Sequence, residues 1–133
     1  MGLDPPPYPG GVSNGNDGGT AAQLYVNDAC SKCRSALALL DERSVAARHI
    51  RYLDDPPTRA DLENLMRQLA IDDPRQMMRT GEAVYAELGL AGARPDELLA
   101  AITMHPILLE RPIFVVGDRA VVARPPERLL ELL

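Results

Sequence analysis

The sequence predicts an α/β domain in which helices flank a four-stranded mixed sheet, with a helical insertion between the second and third strands. Three features predict this class. A strand and a helix precede a second strand, several helical segments follow, and two strands with a last helix close the chain. With 133 residues, 46% of them hydrophobic, the chain suits one modest core.

The first strand–helix–strand unit begins after residue 21. Residues 23–26 form a short apolar strand, and residues 49–53 form a second strand that the sequence Asp-Asp-Pro-Pro ends at 54–57. Between them, apolar side chains recur at helical spacing up to Asp41: Ala36, Leu37, Leu39 and Leu40. A right-handed crossover through this helix makes the two strands parallel.

The insertion consists of helical segments. Thr58 caps the first helix, and Asp61 stands three residues later, as in a capping box. The apolar stripe of this helix comprises Leu62, Leu65, Met66 and Leu69. Shorter helical segments are expected at residues 74–78, 82–88 and 95–104.

The last part of the chain predicts a hairpin and a helix. Residues 113–116 and 120–123 are apolar runs joined at Gly117 and Asp118, which fits an antiparallel pair. Pro125 and Pro126 precede a helix at 127–132 that packs leucines on the sheet. The complete order of elements is that of a thioredoxin-like fold.

The N-terminal residues differ from the rest in composition. Residues 1–21 are rich in proline and glycine, so we expect a disordered leader before a domain at 22–133. We find no export signal and no apolar run long enough for a bilayer, so we expect a cytoplasmic protein without membrane insertion. The net charge of −5 offers no general surface for nucleic acid.

Cys30 and Cys33 are the only cysteines, and they lie where the first strand gives way to the helix. The first turn of a helix has unpaired N–H groups and a positive dipole end, which stabilise a thiolate. We therefore predict that Cys30 is a nucleophile. Cys33 lies on the apolar face and is either a packing residue or a second redox thiol. No metal site is expected, because His49 and His105 are isolated.

Three arginines are candidates for holding an oxyanion. Arg79 opens a segment of the insertion, Arg111 precedes Pro112 at the third strand, and Arg124 follows the fourth. An X-Pro bond such as that of Pro112 is able to be cis. Three guanidinium groups converging near a helix N-terminus would hold a tetrahedral oxyanion. Taken singly, each arginine is more often a solvated surface charge.

Five extended motifs carry a resemblance to a known family. They are YVNDAC at 25–30, YLDDPPTR at 52–59, RTGEAVYAELGL at 79–90, HPILLERPI at 105–113 and RPPE at 124–127. In this order, across residues 23–133, the chain resembles the ArsC-type arsenate reductases, which have a thioredoxin-like fold.

The resemblance implies a reaction and its residues. Cys30 aligns with the catalytic cysteine, Pro112 with the cis-proline, and Asn27 joins the substrate-binding residues. Those that hold arsenate are Arg79, Arg111 and Arg124. The implied reaction converts arsenate to arsenite without a bound cofactor, using glutathione with glutaredoxin, or thioredoxin, as electron donor. Cys33 is a candidate for resolving the intermediate as an internal disulfide.

Two departures from the reductase pattern leave other functions open. Val26 stands where glutaredoxin-coupled reductases often have histidine, which leaves the helix end, Lys32, Arg34 and the arginines to activate the thiol. Cys33 resembles the switch of the Spx-type redox-sensing regulators that bind RNA polymerase, although Arg124 before Pro-Pro-Glu favours the reductase. A third interpretation is an ArsC-like thiol oxidoreductase with another substrate.

Overall fold

A four-stranded sheet forms the centre of the structure, a computed structural model that describes residues 22–27 and 29–133. Its strands are β1 (Ala22–Val26), β2 (Arg48–Arg51), β3 (Ile113–Val116) and β4 (Arg119–Val122), in the order β2-β1-β3-β4. β1 pairs with β2 in parallel and with β3 antiparallel, and β3 and β4 form an antiparallel hairpin. The predicted thioredoxin-like mixed sheet is confirmed, and the leader predicted at 1–21 lies outside the described residues.

Helical segments follow the predicted order. The α-helices are α1 (Ser31–Glu42), α2 (Arg59–Leu69), α3 (Ala83–Glu87) and α4 (Pro95–Met104). Short 3₁₀ helices lie at Pro74–Met77, Leu90–Gly92, Pro106–Leu108 and Pro126–Leu132. The last contains the helix predicted at 127–132 and has 3₁₀ geometry. Within the described part of the chain, no helix is long and apolar enough to cross a membrane.

The start of α2 confirms the predicted capping box. The hydroxyl oxygen of Thr58 accepts a hydrogen bond from the Asp61 N–H at 3.1 Å, and the Asp61 carboxylate accepts from the Thr58 N–H at 2.9 Å. The helix ends at Ala70, which adopts the left-handed conformation with φ 59°. Leu62 and Leu65 are buried, as the predicted stripe requires.

The two faces of the sheet contact different cores, because successive side chains of a strand point to opposite sides. Leu24 and Val26 lie in the cysteine core, which also contains Cys30 and Cys33. Tyr25 points into the insertion core, where it packs with buried residues of α2 and α4. The site described below lies where the two cores meet at one edge of the sheet.

Arg75 holds the insertion together. Its Nη2 donates to three backbone carbonyls, those of Leu90 at 2.8 Å, Ala91 at 3.0 Å and Ala93 at 2.8 Å. Its Nε donates to the Tyr85 hydroxyl at 3.1 Å, and its Nη1 lies 3.4 Å from Asp73. A single guanidinium therefore fixes the irregular backbone around α3 relative to the preceding 3₁₀ helix.

Candidate active site

The candidate site lies at the edge of the sheet where β1 and β2 end. Because β3 is antiparallel to β1, its first residue, Ile113, pairs with Tyr25 near the end of β1. Val122, at the end of β4, pairs with Ile113. The segments that leave this edge carry three of the predicted site residues: Cys30, Arg111 and Arg124.

Cys30 occupies the N-cap position of α1, as the strand-to-helix pattern requires. Its backbone is extended, with φ −91° and ψ 120°, and its side chain makes no capping hydrogen bond. The Cys30 N–H donates to the carbonyl of Asn27 at 2.9 Å. The residue is 7% exposed, so its sulfur lies in a mostly dry environment beside the first turn of the helix.

Opposing effects determine the charge of the Cys30 sulfur. Burial raises the pKa of the thiol, whereas the backbone N–H groups of Cys33 and Lys32, the Cys33 thiol and the Arg111 guanidinium lower it. The net effect lowers the pKa of Cys30 to about 7. A large fraction of Cys30 is therefore thiolate at neutral pH. Lys32 contributes through its backbone N–H.

Cys33 has the opposite character. It is 1% exposed, and its sulfur accepts a hydrogen bond from the Asn27 N–H at 3.4 Å. Burial raises the pKa of Cys33 to about 11, and the neighbouring Cys30 sulfur raises it further than Arg111 lowers it. Both cysteines are unpaired thiols. Cys33 thus packs in the cysteine core and contacts Cys30.

Asn27 shapes the turn between β1 and α1. Its side-chain oxygen accepts a hydrogen bond from the Ala29 N–H at 3.0 Å, while its backbone N–H and carbonyl bind the two cysteines. The sequence predicted a substrate-binding role for Asn27. In the structure its oxygen is engaged by the protein backbone, so its contacts position Cys30 and Cys33.

Arg111 presents unfilled N–H groups beside Cys30. Its Nε and Nη1 are buried and have no hydrogen-bond acceptor among residues 22–27 and 29–133. The same guanidinium stabilises the Cys30 thiolate. The Nε–H and Nη1–H of a planar guanidinium point in different directions, and each lies on an edge shared with Nη2 that binds an oxyanion through paired hydrogen bonds. Buried donors left without an acceptor are unfavourable, so this arrangement indicates a ligand from outside the chain.

Arg79 and Arg124 line a neighbouring cavity of about 330 Å³. Arg79 is held by two carboxylates, with Nη1 2.7 Å from Glu82 and Nε 3.9 Å from Glu110. The Nη1 of Arg124 donates to the carbonyl of Arg111 at 3.0 Å. Arg124 therefore connects the cavity to the backbone that carries Arg111, and both carboxylates form part of the cavity wall.

Two cis peptide bonds flank this edge. Arg111–Pro112 is cis, and so is Arg124–Pro125, which the sequence analysis did not single out. The Ala123 N–H donates to the Pro112 carbonyl at 2.9 Å. The two proline segments are thus joined directly, with an arginine before each of them.

Tyr52 lies within reach of the charges of the site, although its sequence position did not single it out as a candidate site residue. Its side chain is fully buried, and its hydroxyl has no hydrogen-bond partner in the described chain. Burial raises the pKa of Tyr52 to about 12, and the charges of Arg111 and Arg79 oppose this effect. Tyr52 opens the second of the five motifs, but the motif does not reveal that its hydroxyl is unpaired.

Known proteins match most of this chain. The model of the ArsC family matches residues 25–132. An arsenate reductase of Neisseria meningitidis is 42% identical over 113 residues, covering 84% of this chain and 97% of the relative. An arsenate reductase of Haemophilus influenzae is 41% identical over 112 residues, covering 83% and 97%. The solved structure of an arsenate reductase from Vibrio cholerae superposes with a TM-score of 0.83 and 41% identity, covering 86% of this chain and 98% of that chain. Sequence motifs, fold and relatives agree: this chain belongs to the ArsC family.

Proposed function

We propose that this protein reduces arsenate to arsenite, with the Cys30 thiolate as nucleophile. The observation that carries the proposal is the pair of unfilled Arg111 N–H groups beside a cysteine whose pKa is lowered to about 7. The Cys30 nucleophile and the Arg111 guanidinium, which can bind an oxyanion, then lie at the same largely buried edge of the sheet. The names of relatives about 42% identical support arsenate as the oxyanion.

In the proposed complex, Arg111 binds arsenate oxygens through one edge of its guanidinium, which contains either Nε or Nη1. Its cationic charge offsets the charge of the oxyanion, which would otherwise repel a nearby thiolate. Arg124 and Arg79 supply further positive charge from the neighbouring cavity. Glu82 and Glu110 restrain Arg79, so this guanidinium is oriented before the anion arrives.

The first chemical step makes a bond between sulfur and arsenic. The Cys30 thiolate attacks As(V), an S–As bond forms, and one As–O bond breaks. The departing oxygen takes protons from the arsenate hydroxyls and solvent and leaves as water. Arsenic remains As(V) in this thiol-bound intermediate.

The second step transfers two electrons, and we propose that Cys33 performs it. Its sulfur attacks the Cys30 sulfur, an S–S bond forms, and the S–As bonding pair moves to arsenic, which leaves as arsenite. Formation of the S–As bond removes the negative charge of Cys30, which is one of the causes that raise the pKa of Cys33. The thiolate form of Cys33 is therefore favoured at the moment it is needed.

The resulting disulfide needs an external donor of two electrons. A thioredoxin or a glutaredoxin with glutathione would reduce it through a mixed disulfide. In the alternative route, the glutathione thiol attacks in place of Cys33 and the protein returns through a glutathione adduct. Both donor systems operate in a reducing compartment, so we propose a cytoplasmic location.

A direct test measures arsenite made by the purified, reduced protein. A single turnover without added thiol should yield close to one arsenite per protein, and Cys30→Ser should yield none. Cys33→Ser should yield none without a thiol but recover activity with glutathione. Steady-state turnover with the thioredoxin and the glutaredoxin systems then identifies the donor.

Failure to form arsenite with any donor would reject the proposal, as would undiminished turnover in Cys30→Ser. In that case the Spx-like interpretation makes a separate prediction. RNA polymerase should then be captured by the oxidised protein and not by the reduced protein, or the reverse. Cys33→Ser, which cannot form the internal disulfide, is the matched control for that capture.

A further inference from the structure

Tyr52 stands beside the cysteine loop because of the register of the parallel strands. Arg51, the last residue of β2, pairs with Val26, the last residue of β1. Tyr52 therefore leaves the sheet next to the turn that leads to Cys30. Its ring packs in the insertion core, while the charges that act on its hydroxyl are those of the site.

The hydroxyl of Tyr52 is fully buried without a partner among residues 22–27 and 29–133, and this is rare in folded proteins. Among the described residues, the buried side-chain polar atoms that lack a partner are the Tyr52 hydroxyl and two nitrogens of Arg111. The Arg111 charge is also the largest of the charges acting on Tyr52, followed by those of Cys33, Arg79 and Cys30. Among the described residues, the unpartnered buried groups thus come from two side chains, Tyr52 and Arg111, and the charge of Arg111 acts on the Tyr52 hydroxyl.

We propose that the oxyanion held by Arg111 also accepts a hydrogen bond from the Tyr52 hydroxyl, which makes Tyr52 a catalytic residue of the site. This inference rests on the proposed function and extends its set of substrate ligands. One bound anion would supply acceptors for the Tyr52 hydroxyl and for either Nε or Nη1 of Arg111. A tyrosine donates without adding charge, and burial keeps this hydroxyl protonated, since its pKa is raised to about 12.

Tyr52→Phe is the natural test, because it removes the hydroxyl and keeps the buried ring. Tyr25→Phe is the matched control: Tyr25 is also buried in the insertion core, and burial also raises its pKa to about 12, but the charges acting on it come from Asp61 and Arg48. The assay is the protection of Cys30 from iodoacetamide by sodium arsenate, scored as the concentration that halves the alkylation rate. It is performed without thiol and with Cys33→Ser in every protein, the wild-type reference included, because the internal disulfide would otherwise protect Cys30 by itself.

We expect Tyr52→Phe to raise the half-protecting arsenate concentration about 10- to 100-fold, the range for losing one hydrogen bond to a charged group. Tyr25→Phe should change it less than about twofold, since the charges that act on the Tyr25 hydroxyl come from Asp61 and Arg48 and not from the site. Thermal unfolding without anion should show that Tyr52→Phe is at least as stable as the wild type, because an unpaired buried hydroxyl does not stabilise the fold.

Equal protection in the wild type and Tyr52→Phe would overturn the inference, and so would an absence of protection in the wild type. A loss of stability in Tyr52→Phe with unchanged protection would assign the hydroxyl a structural role. The proposed function fails separately, when the wild type makes no arsenite. The protection assay still reports on Tyr52 in that event, because it measures anion binding and not turnover.

Discussion

Arg75 and Arg111 are partly buried guanidinium groups with opposite surroundings. Arg75 donates to three backbone carbonyls and a tyrosine hydroxyl, and a carboxylate lies beside it. Arg111 has two buried nitrogens without an acceptor in the described chain, and its neighbours include a thiolate. The protein thus satisfies one arginine completely and leaves the other incomplete.

The difference separates a structural arginine from one that binds a ligand. Each nitrogen of the Arg75 guanidinium has an acceptor within the fold, so Arg75 stabilises the insertion and has little to offer a substrate. An incomplete guanidinium retains its capacity for paired hydrogen bonds with an oxyanion. Residue type and burial are similar in the two places, and the number of internal acceptors decides the role.

Arg111→Met should produce the largest effect on activity. Two hydrogen bonds between a cation and an oxyanion contribute about 1.5–3 kcal/mol each, so kcat/KM for arsenate should fall about 10²- to 10⁴-fold. The free energy of unfolding should not fall, because the wild-type Nε and Nη1 have no partners within the described chain. If Arg111→Met lost stability but kept its activity, Arg111 would have a structural role like that of Arg75.

Arg75→Met should show the reverse pattern. Several carbonyls around α3 lose their donor, so we expect the free energy of unfolding to fall by about 2–4 kcal/mol in a urea titration. At a temperature where the variant is folded, kcat/KM should stay within about threefold of the wild type. A large loss of kcat/KM in fully folded Arg75→Met would mean that the contacts of Arg75 within the insertion also contribute to catalysis.

The pH dependence of Cys30 alkylation also distinguishes Arg111 from Arg75. Because its pKa is lowered to about 7, the alkylation rate should rise with pH through neutrality and level off as the thiolate becomes complete. Arg111→Met removes a cation that favours the thiolate, so the midpoint should move to higher pH. Arg75→Met should leave the midpoint in place, and an equal shift in both variants would show that Arg111 has no direct effect on the sulfur.

Thr58→Ala should give the smallest change in stability and no change in activity, so it serves as a control for the other variants. It removes the hydroxyl from the capping box of α2 and should lower the free energy of unfolding by about 1 kcal/mol. Arsenate turnover and the Cys30 titration should not change, because the helix start is not part of the site. A changed titration would indicate that a loss of stability in the insertion is enough to alter the pKa of Cys30.

The features that the sequence predicts are those that depend on residues close together in the chain. The capping box of Thr58 and Asp61 and the position of Cys30 at a helix start depend on neighbouring residues, and the structure has both. Family motifs singled out Arg79, Arg111 and Arg124, and the structure groups them at one edge and its adjoining cavity.

Other features depend on contacts between distant parts of the chain. Whether an arginine is saturated depends on acceptors elsewhere, such as the carbonyls at 90, 91 and 93 around Arg75. The same holds for Tyr52, whose unpaired hydroxyl is defined by what the surrounding core lacks. The hydrogen bond that the Asn27 side-chain oxygen accepts from the Ala29 N–H depends on the turn geometry, and the substrate-binding role of Asn27 stays a prediction.

The most direct test of the central claim is a crystal structure of Cys30→Ser with arsenate, since serine cannot react and the complex should accumulate. We expect an arsenate oxygen at about 2.9 Å from Nε or Nη1 of Arg111, with the ion beside the Ser hydroxyl. An arsenate ion bound elsewhere, with both Arg111 nitrogens still without an anionic partner, would contradict the account.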